Sequence, residues 1–236
     1  MQSNISVSLI PGTQCDHQLW SLFLPFLPNN ITPAHIAIEK ESSISNMVKK
    51  IAEHAHGNVN LIGFSMGGYL ALQYALENPS LMQSLVLVAS NIEGLPHKEK
   101  TLRLQTLEYL SDNPYHGMSQ VRLQEFLHAK SMEKVEITNP ILEMDQRLGQ
   151  QVLINQLKAT SHRKSLLKRL RQLSCPVLIV GAEQDKIVDE EQYRRMKDEL
   201  PRGRFHMLPN CGHMIPLEQP KQLANIVVDF YCSIKL

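Results

Sequence analysis

The sequence predicts an α/β protein with a mostly parallel sheet and a helical insertion over one sheet edge. Three observations lead there. Short β-branched runs alternate with longer amphipathic stretches. Several of those runs are near-continuous Val, Ile and Leu, the composition of strands buried on both faces of a parallel sheet. One segment, residues 91–173, breaks the alternation and has no good strand.

The candidate strands are 5–10, 35–38, 59–64, 85–89, 177–180 and 204–208. Helices separate them. Ile44, Met47, Val48, Ile51 and Ala55 fall on one helical face. An apolar helix follows residue 68. Asp189 reads as an N-cap, with Glu190 and Glu191 in the first turn and Tyr193, Met196 and Leu200 as the apolar stripe. Leu223, Ile226, Val227, Phe230 and Ile234 repeat that spacing. Within 91–173 the expected helices are 98–110, 119–130, 140–160 and 162–173, punctuated by Asn113-Pro114 and Asn139-Pro140. Residues 1–90 and 174–236 thus form the core, and 91–173 a cap.

Composition narrows the function. With 43% hydrophobic and 20% charged residues, the chain has enough apolar material for a large core. Lys+Arg number 24 against Asp+Glu 23, so no positive excess suits nucleic acid or an anionic membrane surface. The four cysteines are scattered, without CxxC or zinc spacing. Met1–Ser6 lacks a basic patch followed by a long apolar run, so no leader is expected. No apolar run is long enough to cross a bilayer. A cytoplasmic monomer or homodimer is expected.

The sharpest motif is Gly63-Phe64-Ser65-Met66-Gly67-Gly68, between a strand and a helix. G-x-S-x-G in that context lifts a serine hydroxyl above the sheet edge on a strained turn. Side chains at Gly63 and Gly67 would collide with neighbouring elements. Asp185 lies just past the strand 177–180, where catalytic groups collect in open α/β sheets. His213 lies in the glycine-flanked loop after the last strand. Ser65, Asp185 and His213, in that order, are the candidate nucleophile, acid and base. Asp189 is the rival acid, but it is better used as an N-cap.

Other clusters carry less. Cys15 lacks an elbow and reads as a small buried residue. His54 and His56, two apart on a helix, do not share a face and do not make a metal site. Lys164, Lys168, Arg169 and Arg171 read as a solvated helix face.

Together these stretches resemble the α/β-hydrolase-fold serine hydrolases over nearly the whole chain. The matching segments are Leu9-Ile10-Pro11-Gly12, Gly63 to Gly68, Val180 to Asp185 and Gly212 to Pro220. Pro11-Gly12-Thr13-Gln14-Cys15-Asp16 with Trp20 is similar to a bacterial subgroup of small hydrolases, related to carboxylesterases and enol-lactonases. The resemblance implies a six-stranded sheet lacking the usual first two strands. It implies oxyanion donors at the Met66 and Thr13 backbone N–H groups. Here Pro11-Gly12 replaces the family's frequent His-Gly pair, whose histidine helps order the loop. The implied activity is cleavage of a small or medium-sized carboxylic ester through an acyl-enzyme, with neither metal nor organic cofactor required. Lactonase, thioesterase, carbon–carbon hydrolase, acyltransferase or lyase chemistry, or a slow ligand-binding receptor, are the alternatives. Trp20, Phe126 and Met144 are the residues expected to line a substrate pocket.

Overall fold

The structure is a computed structural model that describes residues 4–234. The leader expectation rests partly on residues 1–3, which lie outside them. Six strands form one sheet: β1 (Ile5–Ile10), β2 (Ile31–His35), β3 (Val59–Phe64), β4 (Met82–Val88), β5 (Val177–Ala182) and β6 (Arg204–Leu208). Their order is β2-β1-β3-β4-β5-β6, and every pairing is parallel. All carboxyl ends therefore leave at one edge of the sheet. The order reverses between β1 and β3, and the crevice outside a reversal is where open α/β sheets bind ligands.

The helices are α1 (Ile44–His54), α2 (Met66–Glu77), α3 (His97–Asp112), α4 (Gln120–Phe126), α5 (Val135–Thr160), α6 (Glu190–Glu199), α7 (Ile215–Glu218) and α8 (Pro220–Ser233). The central strands explain the layering. β3 and β5 are buried at every position. Alternate residues of β3, β4 and β5 enter two separate cores: Leu61, Leu85, Leu87, Val177 and Ile179 face α1, α2 and α6. Ile62, Phe64, Val86, Val88, Leu178 and Val180 face α8 and the cap segment. Full burial of each such side chain contributes about 1.5–3 kcal/mol. α2 is apolar on nearly all sides because it is buried against the sheet centre.

Several boundaries differ from those expected. The second strand is 31–35 rather than 35–38. Ile31 pairs with Ile5 and His35 with Leu9, while Ile36 and Ile38 are buried just beyond the strand. Pro33 hid this strand; it is tolerated because β2 is an edge strand. The helix expected over 119–130 stops at Phe126, where Leu127 turns extended. The helix expected from Pro140 starts at Val135 and runs through the proline; it breaks at Gly149. The stretch 162–173 holds only a 3-10 segment, Leu167–Gln172. It is pinned at its start, where the Leu166 N–H donates to the Ile92 carbonyl at 2.9 Å.

Segment 91–173, the expected cap, leaves the carboxyl end of β4 and returns to the start of β5. Leu123, Leu127, Ile137, Ile141 and Met144 pack into the same core as Phe64 and Val88. α6 carries the expected Asp189 cap as a full capping box with Gln192. Among the described residues no helix is long and apolar enough to cross a membrane.

Candidate active site

Ser65 sits between β3 and α2 with φ 52° and ψ −115°. That backbone is strained for a residue with a side chain. The surroundings hold it there. The Ser65 N–H donates to the Val88 carbonyl at 2.9 Å, and the Ser65 carbonyl accepts from Gly68 at 3.0 Å. Gly67 makes the turn possible: a Cβ there would lie 2.3 Å from the Ile10 carbonyl oxygen and 2.4 Å from that of Pro11. The loop after β1 is thereby packed directly on the turn.

His213 reaches Ser65 from the loop after β6. Its Nε2 lies 3.0 Å from the Ser65 hydroxyl oxygen, and its Nδ1 lies 2.8 Å from Asp185 Oδ2. The other Asp185 oxygen accepts from the Ile187 and Val188 N–H groups at 2.8 and 3.0 Å. Both partners are almost wholly enclosed, with side chains 3% and 0% exposed. The loops of acid and base are stitched together. The Gln184 N–H donates to the Cys211 carbonyl at 3.1 Å, and the Cys211 N–H donates to Gln184 Oε1 at 3.0 Å. Asp189 is engaged elsewhere, accepting from the Gln192 N–H at 2.8 Å. A serine hydroxyl on an imidazole that a buried carboxylate orients can be deprotonated as it attacks a carbonyl.

The imidazole has two aromatic neighbours, Phe64 at 5.1 Å and Phe126 at 5.8 Å between centroids. The Phe126 carbonyl accepts the His213 N–H at 2.7 Å. Glu218 joins the same junction, its carboxylate accepting from the His128 N–H at 2.8 Å and the Met214 N–H at 3.1 Å. Gly212 allows the approach, because a Cβ there would stand 2.6 Å from the His128 nitrogen.

The Met66 N–H opens α2, and helix geometry leaves it without an intrahelical acceptor. Thr13 lies in the loop packed on Ser65, and its hydroxyl donates to Met66 Sδ at 3.5 Å. Trp20 and Met144, expected in a pocket, are both fully buried in the core, and the Met144 sulfur accepts from the Asp16 N–H. Phe126 is half-buried, beside His213. A cavity of about 430 Å³ lies in the cap segment between Tyr115, Met118, Leu142, Asp145, Gly149 and Gln150. None of Trp20, Phe126, Met144 and Ser65 lines it.

Cys15 is buried, and burial, reinforced by Asp16, pushes its thiol well up. It is a packed thiol and not a ready nucleophile. Tyr193 lies in the expected apolar stripe of α6. Its hydroxyl is buried, and burial followed by the charge of Asp185 raises it well above the usual phenol range. Among the described residues no group of three His, Cys, Asp or Glu side chains converges as a metal site would require.

Comparison with known proteins agrees with this architecture. The α/β-hydrolase fold family model matches residues 41–220, and the chain belongs to that family. It is 25% identical over 257 residues to a monoacylglycerol lipase of Bos taurus, covering 97% of this chain and 76% of the relative. It is 28% identical over 199 residues to a putative 2-succinyl-6-hydroxy-2,4-cyclohexadiene-1-carboxylate synthase of Bacillus subtilis, covering 75% and 66%. The structure of a thermophilic esterase from Thermogutta terrifontis superposes with a TM-score of 0.83, at 19% identity, over 100% of this chain and 92% of that one.

Proposed function

We propose that this protein is a serine hydrolase that cleaves a small or medium-sized carboxylic ester through an acyl-enzyme. Ser65 attacks the carbonyl carbon while His213 Nε2 takes its proton. Asp185 holds the proton on Nδ1 and stabilises the imidazolium. The Met66 and Thr13 N–H groups receive the oxyanion, and loss of one such donor costs about 3 kcal/mol of barrier. His213 then returns the proton to the leaving alcohol. Water, activated by the same imidazole, releases the acid and restores Ser65.

The observation that carries this reading is the unbroken hydrogen-bond chain Ser65–His213–Asp185, with distances of 3.0 and 2.8 Å. The lipase and esterase relatives support an ester substrate. The cap segment 91–173 covers the site through Phe126 and keeps water from the reacting atoms. The test is hydrolysis of p-nitrophenyl esters of graded acyl length by the wild-type protein and by Ser65→Ala. Turnover in the wild type alone supports the reading; equal turnover in both contradicts it.

A second reading, lyase chemistry on the same three residues, is favoured by the carboxylate synthase relative. There His213 and Ser65 would remove a proton from carbon and no acyl-enzyme would form. Trapping an acyl group on Ser65 separates the two.

A further inference from the structure

The loop that carries Thr13 is bound to α5 through buried polar contacts that the reaction above does not use. The Gln14 N–H donates to Gln156 Oε1 at 2.8 Å. The Gln14 side-chain amide donates to Asp145 Oδ1 at 3.3 Å and to the Gly149 carbonyl at 3.2 Å. Asp145 is itself fixed, accepting from the Tyr115 hydroxyl at 2.5 Å and the Met118 N–H at 2.7 Å. Two residues on, Asp16 accepts from Arg147 Nε at 2.8 Å. Gln14, Asp145 and Gln156 are 6%, 1% and 0% exposed. Buried polar groups of this kind are costly unless paired, so the bonds they make fix their geometry, with Gln14 Oε1 alone left without a partner.

The backbone needs such fixing. Gln14 has φ 53°, a left-handed conformation that a side-chain-bearing residue keeps only when its surroundings impose it. On the other side of Thr13, Gly12 packs against Phe64 and Ser65; a Cβ there would lie 3.2 Å from Ser65 Cβ. Thr13 is thus held between a neighbour resting on the nucleophile turn and a neighbour tied to α5. The Gly149 carbonyl that takes the Gln14 amide stands at the break in α5, where φ is 67° and ψ −173°. Pro11 has no N–H and no polar side chain with which to order this loop.

We propose that Gln14, Asp145 and Gln156 are positioning residues that hold the Thr13 N–H where it meets the oxyanion, so that α5 orders the site. This rests on the roles given above to Ser65 and Thr13. A displacement of about 1 Å at such a donor costs about 10²-fold in rate.

The experiment compares wild type with Gln156→Met, which keeps volume and removes the acceptor, and with Gln14→Gly, which relieves the positive φ and removes the amide. Arg103→Ala is the control, since it cuts the Arg103–Thr160 bond between α3 and α5 without touching the loop. kcat, KM and the inhibition constant of a trifluoromethyl ketone, whose hemiketal oxyanion mimics the intermediate, are measured with an ester substrate. Gln156→Met and Gln14→Gly are each expected to lose about 10²-fold in kcat and in ketone affinity, with KM within about twofold. Arg103→Ala is expected to match wild type in all three. A rise in KM at constant kcat, unchanged ketone affinity, or the same kcat loss in Arg103→Ala overturns the proposal. If Gln156→Met folds poorly, Gln14→Gly reads the other half of the tie, the side-chain bonds to Asp145 and the Gly149 carbonyl. Absence of turnover and of ketone binding in the wild type would instead reject the reading of Ser65 itself.

Discussion

The Phe126 carbonyl accepts the His213 N–H at 2.7 Å, and the Phe126 ring stands 5.8 Å from the imidazole. One cap residue therefore holds the proposed base by its backbone and flanks it by its side chain. Gly212 is the neighbour that permits this contact. Gly212→Ala is expected to push the 126–128 backbone away from His213. Ester turnover should fall by about tenfold or more, with a lower melting temperature. Wild-type kcat in that variant would separate the junction from catalysis.

Phe126 and Met144 should respond differently to truncation, although both were expected in a pocket. Phe126→Ala opens space beside His213 and should change the preferred acyl length on the ester panel. Met144→Ala empties a fully buried site and should cost about 2–5 kcal/mol in urea unfolding, with acyl preference unchanged. Identical acyl profiles for Phe126→Ala and wild type would remove Phe126 from the pocket.

The acid can be assigned by comparing two aspartates four residues apart. Asp185→Asn should keep the fold and lower kcat by about 10⁴-fold, since the imidazole loses the partner that sets its tautomer. Asp189→Ala should keep kcat and lose about 1 kcal/mol of stability through the lost α6 cap. The reverse pattern of kcat values would exchange their roles.

Thiol reactivity checks the buried loop. Burial raises the Cys15 and Cys211 thiols well above their ordinary value and lifts Cys175 to about 11. A raised pKa means protonated thiols at pH 8, so none of the three should react readily in the folded protein. Cys232 is exposed and should be modified first by a disulfide-exchange reagent, with all four reacting after denaturation. Fast modification of Cys15 in the native state would contradict the packing of the Thr13 loop.

Ser65 and Asp185 stand out in the sequence because each follows a strongly apolar strand, and His213 because it sits beside Gly212 in the loop after the last strand, which is itself largely exposed. A parallel sheet gathers the carboxyl ends of its strands whatever the intervening sequence. The second strand was displaced because Thr32 and Pro33 dilute its pattern, while Ile36 and Ile38 beyond it are equally buried. The polar tie between Gln14, Asp145 and Gln156 was not legible. Its partners are more than 100 positions apart, and a polar residue on an amphipathic helix reads as solvent-facing. One local signal existed: Asp145 adjoins Met144 in the apolar stripe with Ile137 and Ile141, where a lone carboxylate calls for buried partners.

The most direct test of the account is intact-protein and peptide mass spectrometry after treatment with a serine-directed fluorophosphonate. One phosphonyl group per chain is expected, on the peptide containing Ser65, with no labelling in Ser65→Ala and strongly slowed labelling in Asp185→Asn. A stable adduct on another serine, with Ser65 unmodified and ester turnover intact, would contradict it.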